Sequence, residues 1–362
     1  MGLFIDVSKA FDSIKHNILI KNLEEIGMEG MDLEWFRNYL TGRRQFVFVN
    51  GVESDLQNVV TGVPQGSVLG PILFIVYINS IKDLHLNGTP FGFADDTSLF
   101  YTGDNSADVL HGMENDLKTI SNCLDSLQLN LNLKKTVYMT FAGGGGVQCQ
   151  TRLQFENCEI KKVACTKFLG LMLDERLIWR EHIEMIVRKI QPVIRTFARI
   201  RNYLPSELKR KVYFALVHSH FCFLANVWGH CAERGVKRLE ILQKRALKIL
   251  FKLDYRMPST DLYSTLNIPS VGNVIKTQSV LYLVKIRKEL LESDIQLATS
   301  ADTHGYNIRI KEILRLPNRL NTSMYGTGGV LSKAISLYNQ IPNNIISLEL
   351  YALKRELKKM FI

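Results

Sequence analysis

Apolar positions along this 362-residue chain follow two rhythms, one of about two residues and one of about 3.6, and each change of rhythm predicts a change of element. Residues 2–7 form a short apolar run ending in an acid and a valine, the pattern of a buried strand. Ile18, Leu19, Leu23 and Ile26 recur at helical spacing across 14–26, and 33–40 predicts a second helix. Asp12 precedes the first of these and reads as its N-cap. Alternation through Phe46 and Phe48 predicts a strand over 44–50. Asn50-Gly51 then predicts a hairpin into a partner strand near 56–60. The turn-rich Gly62-Val63-Pro64-Gln65-Gly66-Ser67 feeds an apolar helix over 69–81, which tolerates Pro71 only in its first turn.

Residues 91–101 are apolar on both sides of Asp95-Asp96, so a β-hairpin carrying two acids at its tip is expected. Val109, Leu110, Met113, Leu117, Ile120 and Leu124 mark a helix over 107–127. A loop and strand should follow over 129–141, passing Lys134 and Lys135. Four glycines at 143–146 read as a flexible linker. Short strands are expected around Phe168-Leu169-Gly170, and helices from 178 to about 252. Beyond Pro258 the periodicity weakens, and no internal repeat is visible.

Composition narrows the class. The chain is 46% hydrophobic and 22% charged, with a mean hydropathy of 0.00, which is ordinary for a globular protein. Six cysteines without a CxxC pair argue against a disulfide scaffold and for an intracellular site, nucleus or cytoplasm. Asp6, Lys9 and Asp12 interrupt any signal-peptide core. The longest apolar run, 68–78, contains Gly70 and Pro71 and is shorter than the ~20 residues a membrane span needs. The net charge of +10 favours a polyanionic partner. It is unevenly placed: residues 1–100 carry seven Lys/Arg against twelve Asp/Glu, whereas 180–256 carry seventeen against six. In the basic stretch Ile190, Ile194, Phe197 and Ile200 alternate with Arg188, Arg195, Arg199 and Arg201, describing a helix with a cationic outer face. Such a face can follow a phosphate backbone.

Three carboxylates stand in apolar strand contexts: Asp6 after Leu3-Phe4-Ile5, and Asp95-Asp96 after Phe91-Gly92-Phe93-Ala94. Adjacent acids repel, and burying them without a partner is costly. A divalent ion resolves the conflict, since Mg²⁺ takes one or two carboxylates together with substrate phosphates. Two such ions ~3.5–4 Å apart would suit in-line phosphoryl transfer. Either acid group alone reads as a solvated turn or strand end; the combination carries the inference.

Five segments, in order, resemble successive motifs of reverse transcriptases, most closely those of non-LTR (LINE-type, jockey-like) retrotransposons. They are Asp6-Val7-Ser8-Lys9-Ala10-Phe11-Asp12, Gly62-Val63-Pro64-Gln65-Gly66-Ser67 with Leu69-Gly70-Pro71, Phe93-Ala94-Asp95-Asp96, Leu131-Asn132-Leu133-Lys134-Lys135-Thr136, and Phe168-Leu169-Gly170-Leu171. Asp6 lies 89 positions before Asp95, and Gln65 lies 30 before it. The resemblance implies an α/β (α+β) fold over most of 1–290: a polymerase palm of antiparallel strands with packed helices over 1–175, a helical basic thumb or connection over 176–260, and a C-terminal helical region over 261–362. It implies an RNA-directed DNA polymerase using Mg²⁺ (or Mn²⁺), an RNA template, a DNA primer and deoxynucleoside triphosphates.

By the same resemblance Asp6, Asp95 and Asp96 match the catalytic metal-binding acids. Phe11 matches a steric gate against a 2′-hydroxyl, or is simple core. Gln65 and Gly66 match residues at the incoming nucleotide. Ala94 would lie near the primer terminus. Lys135 matches a lysine near the departing pyrophosphate, or is merely solvated. Phe168, Leu169 and Gly170 match a primer-gripping hairpin, or are strand core. The family's fingers and upstream endonuclease have no counterpart here, which implies an N-terminally truncated enzyme of weak or absent activity. No CCHC knuckle is visible. His218, His220, Cys222, His230 and Cys231 cluster, but their spacing fits no zinc finger and their apolar helical setting reads as core packing. A non-catalytic nucleic-acid-binding remnant is the alternative. An RNA-templated RNA polymerase is disfavoured by Phe11.

Overall fold

The computed structural model describes residues 1–141, 152–292, 295, 297–299, 313–315 and 329–361; the expected linker at 143–146 lies outside them. The chain forms two compact units, Met1–Leu171 with Glu175–Leu177, and Met172–Asp174 with Ile178–Ile362. It is a mixed α/β fold, as the sequence pattern predicts.

The first unit opens with β1 (Gly2–Ile5), buried along its whole length. A run that is apolar on both faces suits a central strand covered on both sides. Next come α1 (His16–Glu25) and α2 (Gly30–Leu40). Asp12 does not cap α1, a departure from expectation. The helix begins at His16 behind Lys15 with no side-chain cap, because the backbone of Lys9–Ser13 makes its own turn first. The ribbon that follows contains β2 (Arg44–Gln45), β3 (Phe48–Val49), β4 (Val52–Glu53) and β5 (Gln57–Asn58), with β2 paired to β5 and β3 to β4. Asn50 and Gly51 both have left-handed φ, 51° and 84°, as a two-residue hairpin turn demands. Phe46, Val47, Phe48 and Val49 are all exposed.

The apolar helix α3 (Leu69–Ile78) carries Pro71 in its first turn as required, and it ends in a 3₁₀ turn, Asn79–Asp83. Two antiparallel strands, β6 (Thr89–Phe93) and β7 (Asp96–Phe100), form the acidic hairpin. Helix α4 (Ser106–Ser126) buries Leu110, Met113, Leu117, Ile120 and Leu124. Buried among them, the Asp116 carboxylate accepts hydrogen bonds from the Asn87 and Gly88 amides and the Tyr101 hydroxyl, at 2.9 Å each. Burial and the Asp116 charge push the Tyr101 hydroxyl pKa up. After α4 come β8 (Val137–Met139), the hairpin β9 (Gln154–Phe155) and β10 (Cys158–Glu159), then β11 (Lys161–Lys162) and β12 (Cys165–Phe168).

The main sheet has the order β11-β8-β1-β7-β6. Three of its pairings are antiparallel, as the sequence reading requires, but β11 joins β8 in parallel. The reason is topological: the chain passes through the β9–β10 hairpin before rejoining the sheet edge.

The second unit holds most of β13 (Leu171–Asp174), then α5 (Arg180–Ile200) and α6 (Ser206–Tyr213). A π-helical turn, Phe214–His218, leads to α7 (Ser219–Cys222), α8 (Ala225–Trp228), α9 (Glu233–Phe251), α10 (Ser259–Leu266) and α11 (Val271–Arg287). Later come α12 (Val330–Tyr338), α13 (Asn343–Ile346) and α14 (Leu350–Met360). The Asp174 carboxylate accepts from the Ile178 and Trp179 amides, closing the approach to α5. On α5 the expected core positions Ile190, Ile194 and Phe197 are buried, and the helix packs against α9. Fully buried Gln243 ties α9 to its neighbours. It donates to Tyr213 Oη and Pro269 O at 2.9 Å, and accepts from Tyr263 Oη and the Val271 amide.

Candidate active site

Asp6 is the first residue after β1, and its position follows from the strand pairing. The β1–β7 register runs from Gly2 opposite Phe100 to Ile5 opposite Thr97. The next step therefore sets Asp6 across from Asp96, and opposed residues of an antiparallel pair share a face. On the far side of β7, Phe93 pairs with Asp96, so the hairpin closes through only Ala94 and Asp95. Ala94 adopts φ 53°, a left-handed conformation costing an alanine ~1–2 kcal/mol. Strain of this kind collects at working sites. Asp95 sits at the tip, and Asp96 opens β7 rather than standing in the turn.

The electrostatics agree with the register. The carboxyl of Asp96 is held above the ordinary aspartate range by burial first, then by the charges of Asp95 and Asp6, with Lys167 acting in the opposite direction. Asp6 is itself anchored. Asn132 Nδ2 donates to Asp6 Oδ2 at 2.9 Å, and Lys135 Nζ stands 3.6 Å from the same oxygen. The Asn132 amide also donates to the Asp6 carbonyl at 2.8 Å. Two groups beyond the sequence-derived set thus belong here. Asn132 lies inside a motif already singled out, whereas Lys167, within β12, carries no local signal of its bearing on Asp96.

A second cluster surrounds the 62–70 loop. Gly62 has φ 84°, and a Cβ there would lie 2.9 Å from Asp12 Cα, so only glycine fits this approach. The Val63 amide donates to the Phe11 carbonyl, and Gln65 Nε2 donates to Asp12 Oδ1 at 2.8 Å. That contact is what Asp12 does in place of capping. The Phe11 ring stacks on Phe74 with centroids 4.6 Å apart. Gly66 is exposed with φ 79° and nothing near its Cβ position.

Phe168 packs edge-on against Phe4 and Phe100, with centroids 5.6 and 6.2 Å away, and so lies on the sheet. Leu169 and Gly170 follow with φ 45° and 84°, a tight turn beyond β12. Asp6, Asp95, Asp96 and Lys135 are therefore brought together, Phe11 and Gln65 meet through Asp12, and Phe168 rests against strands β1 and β7.

Among the described residues no three His, Cys, Asp or Glu side chains form a group that encloses a metal ion. Mg²⁺ does not need one, because it binds through one or two carboxylates plus substrate phosphates. The donor chemistry at Asp6 and Asp96 fits a hard cation, which would relieve the repulsion that, after burial, raises Asp96. The histidine and cysteine cluster of the second unit is occupied differently. His230 Nε2 pairs with Ser279 Oγ at 3.0 Å, and His218 packs on the rings of Phe214 and Tyr213. No described helix is long and apolar enough to cross a membrane.

Residues 1–173 match the family described as reverse transcriptase (RNA-dependent DNA polymerase). Three curated Drosophila melanogaster proteins are similar over most of the chain. A probable RNA-directed DNA polymerase from transposon BS is 25% identical over 79% of this chain and 33% of its own length. The RNA-directed DNA polymerase from mobile element jockey is 24% identical over 79% and 32%. A probable RNA-directed DNA polymerase from transposon X-element is 24% identical over 78% and 31%. The chain spans about a third of the length of these relatives. A solved telomerase from Candida albicans overlays on 77% of this chain and 48% of its own, with a TM-score of 0.34 and 14% identity, too loosely to bear on the assignment. Residues 1–173 therefore match a reverse transcriptase domain, and the relatives similar to most of the chain are polymerases of mobile elements.

Proposed function

We propose that this chain is an RNA-directed DNA polymerase that adds deoxynucleotides to a DNA primer on an RNA template. The support for the reading is the β1–β7 register, which ends at Ile5 opposite Thr97 and so brings Asp6 up beside Asp96, with Asp95 at the adjoining tip and the charges of both acids acting on Asp96. In this reading the first unit is the palm and the basic helices of the second act as a thumb.

Asp6, Asp95 and Asp96 are the residues that would hold Mg²⁺ or Mn²⁺, together with substrate phosphates; the ion would supply acidity to the attacking hydroxyl and charge stabilisation to the transferring phosphate. The remaining work falls to the chain's own residues. Asn132 fixes the Asp6 carboxylate in one orientation. Lys135, within reach of Asp6, supplies a proton or a positive charge to the departing pyrophosphate. Phe11 is backed by the stacked ring of Phe74, which supports a role in excluding a ribose 2′-hydroxyl. Gln65 is steadied by Asp12 next to Gly66, where the open backbone admits a nucleotide. Phe168, Leu169 and Gly170 form the turn that grips the primer.

The test is primer extension by the purified 362-residue chain on poly(rA)/oligo(dT) with Mg²⁺. Extension abolished by Asp96→Asn, with ribonucleotide incorporation gained in Phe11→Ala, supports the reading. Extension that survives Asp96→Asn sinks it. Salt-sensitive nucleic-acid binding without any extension assigns the chain to a non-catalytic role instead.

A further inference from the structure

The second unit carries a basic cleft of about 450 Å³ where the C-terminal ends of α5 and α9 meet. Arg201, Lys248 and Lys252 line it together with Asn202 and Tyr255, and no carboxylate does. Each cation has a distinct setting. Lys248 donates to the carbonyls of Tyr255 and Met257 at 2.7 and 2.8 Å, which fastens the loop after α9. Arg201 has its Nε buried without a hydrogen-bond partner among the described residues. Lys252 closes α9 in a left-handed conformation, φ 56°, where glycine is the unstrained choice.

An aromatic ring stands at the rim. Tyr255 is 75% exposed. The Arg256 guanidinium lies 5.2 Å from the ring centroid and donates through Nε to the Tyr255 hydroxyl. A cation thus lies against the ring, while most of the residue stays open to solvent. Asp254, the acid beside it, is engaged by the Arg256 amide at 2.8 Å. An exposed ring within a cationic groove is the combination that binds single strands: bases stack on the ring and phosphates meet the charges.

We propose that this cleft binds single-stranded nucleic acid, with one base stacked on the exposed ring of Tyr255 and the flanking phosphates on Arg201 and Lys252. Its volume is on the scale of one nucleotide, and a duplex, whose bases stack on one another, offers the ring no free face. The site shares no residue with the carboxylates of the first unit, and its binding does not depend on polymerisation.

The experiment is fluorescence anisotropy on the full chain without divalent metal or triphosphates, so its outcome stands apart from any extension assay. The probes are a labelled uridine octamer, the matching deoxyuridine octamer and a blunt RNA duplex. Tyr255→Ala should weaken binding of at least one octamer by roughly 5- to 150-fold, the range expected for loss of one stacked base. Tyr255→Phe, which keeps the ring, should bind like the parent, and duplex affinity should be unchanged by either variant. Lys252→Gly should lower the salt dependence of octamer binding by about one unit of log–log slope. The same variant should raise Tm, because glycine relieves the left-handed end of α9. Unchanged octamer affinity in Tyr255→Ala, or equal weakening of octamers and duplex, overturns the proposal. The ribo- and deoxyribo-octamers distinguish which strand the cleft prefers.

Discussion

Asn132 and Asp6, separated by 126 positions, are joined by a hydrogen bond of 2.9 Å from the Asn132 side-chain amide to Asp6 Oδ2. Lys135 reaches the same oxygen at 3.6 Å, with 70% of its own side chain exposed. An ion pair this open contributes ~0–1 kcal/mol. As the charge nearest that oxygen, Lys135 competes with a divalent cation for Asp6. Lys135→Met should therefore lower the half-saturating Mn²⁺ concentration by up to about fivefold, the equivalent of 1 kcal/mol. Calorimetric titration without nucleotide measures this, and unchanged or weaker Mn²⁺ binding would show that the lysine does not compete.

Asp96 should reveal a conflict between stability and function. Its carboxyl is shifted upward by burial and by the charges of Asp95 and Asp6. A folded-state pKa above the unfolded value favours folding at low pH, and that contribution is lost as the pH rises through the folded pKa. At pH 7 the ionised Asp96 thus opposes folding of the metal-free chain. Asp96→Asn should raise Tm in the presence of EDTA, and the gain should shrink when Mg²⁺ is added, since only the parent can use the ion. Equal Tm values for parent and variant in EDTA would exclude this repulsion as a source of instability.

Gly62 and Gly66 both have positive φ, yet they should respond differently to alanine. At Gly62 the added Cβ would meet the Asp12 backbone at 2.9–3.0 Å, whereas at Gly66 it would meet nothing within 4 Å. Gly66→Ala bears only the left-handed penalty of ~1–2 kcal/mol. Gly62→Ala bears the same penalty plus a backbone clash, and should lose at least ~3 kcal/mol. Urea unfolding of the two variants separates the effects, and equal losses would mean that the Asp12 backbone moves aside freely.

The parts of this molecule that sequence reasoning found are those whose signal is local. Helices α4 and α5 bury one stripe each, so Leu110, Met113, Leu117 and Ile190, Ile194, Phe197 repeat at helical spacing and can be counted. The acidic hairpin is bounded by apolar residues, and the Asn50-Gly51 turn carries its own φ preference. Helix α11 shows the opposite case. Val274, Ile275, Thr277, Ser279, Val280, Leu281, Leu283 and Val284 are all buried, so packing on several sides leaves no polar face to reveal a period. Asp12 misled because its partner, Gln65, lies 53 residues away. The parallel β8–β11 pair joins polar Lys161 and Lys162 to the sheet edge, where no hydrophobic alternation announces a strand. Within the site, the acids were legible from their apolar flanks. Lys167 was not, because its bearing on Asp96 depends on where β12 lies.

The second unit should lose stability as the pH falls below neutral, through its buried histidines. His182 and His218 are 1% and 8% exposed. Burial pushes both down to about 4, assisted by Lys189 near His182 and by Lys358 and Arg210 near His218. His230 is likewise pushed to about 4 by burial and Lys333. For each, the folded pKa lies below the unfolded value of about 6.5. The unfolded chain therefore takes up protons first as the pH drops. The stability these residues contribute is intact above 6.5 and is lost progressively between 6.5 and 4. A shift of that size is worth on the order of 3 kcal/mol per histidine at most. His218 packs on Phe214 and Tyr213, with its Nδ1 buried and unpartnered among the described residues. His218→Leu keeps an apolar side chain there and removes the titrating group. Urea midpoints measured at pH 7.0, 5.5 and 4.5 should fall steeply for the parent and less steeply for His218→Leu. Parallel slopes for the two proteins would mean that His218 takes up its proton as readily in the folded chain as in the unfolded one.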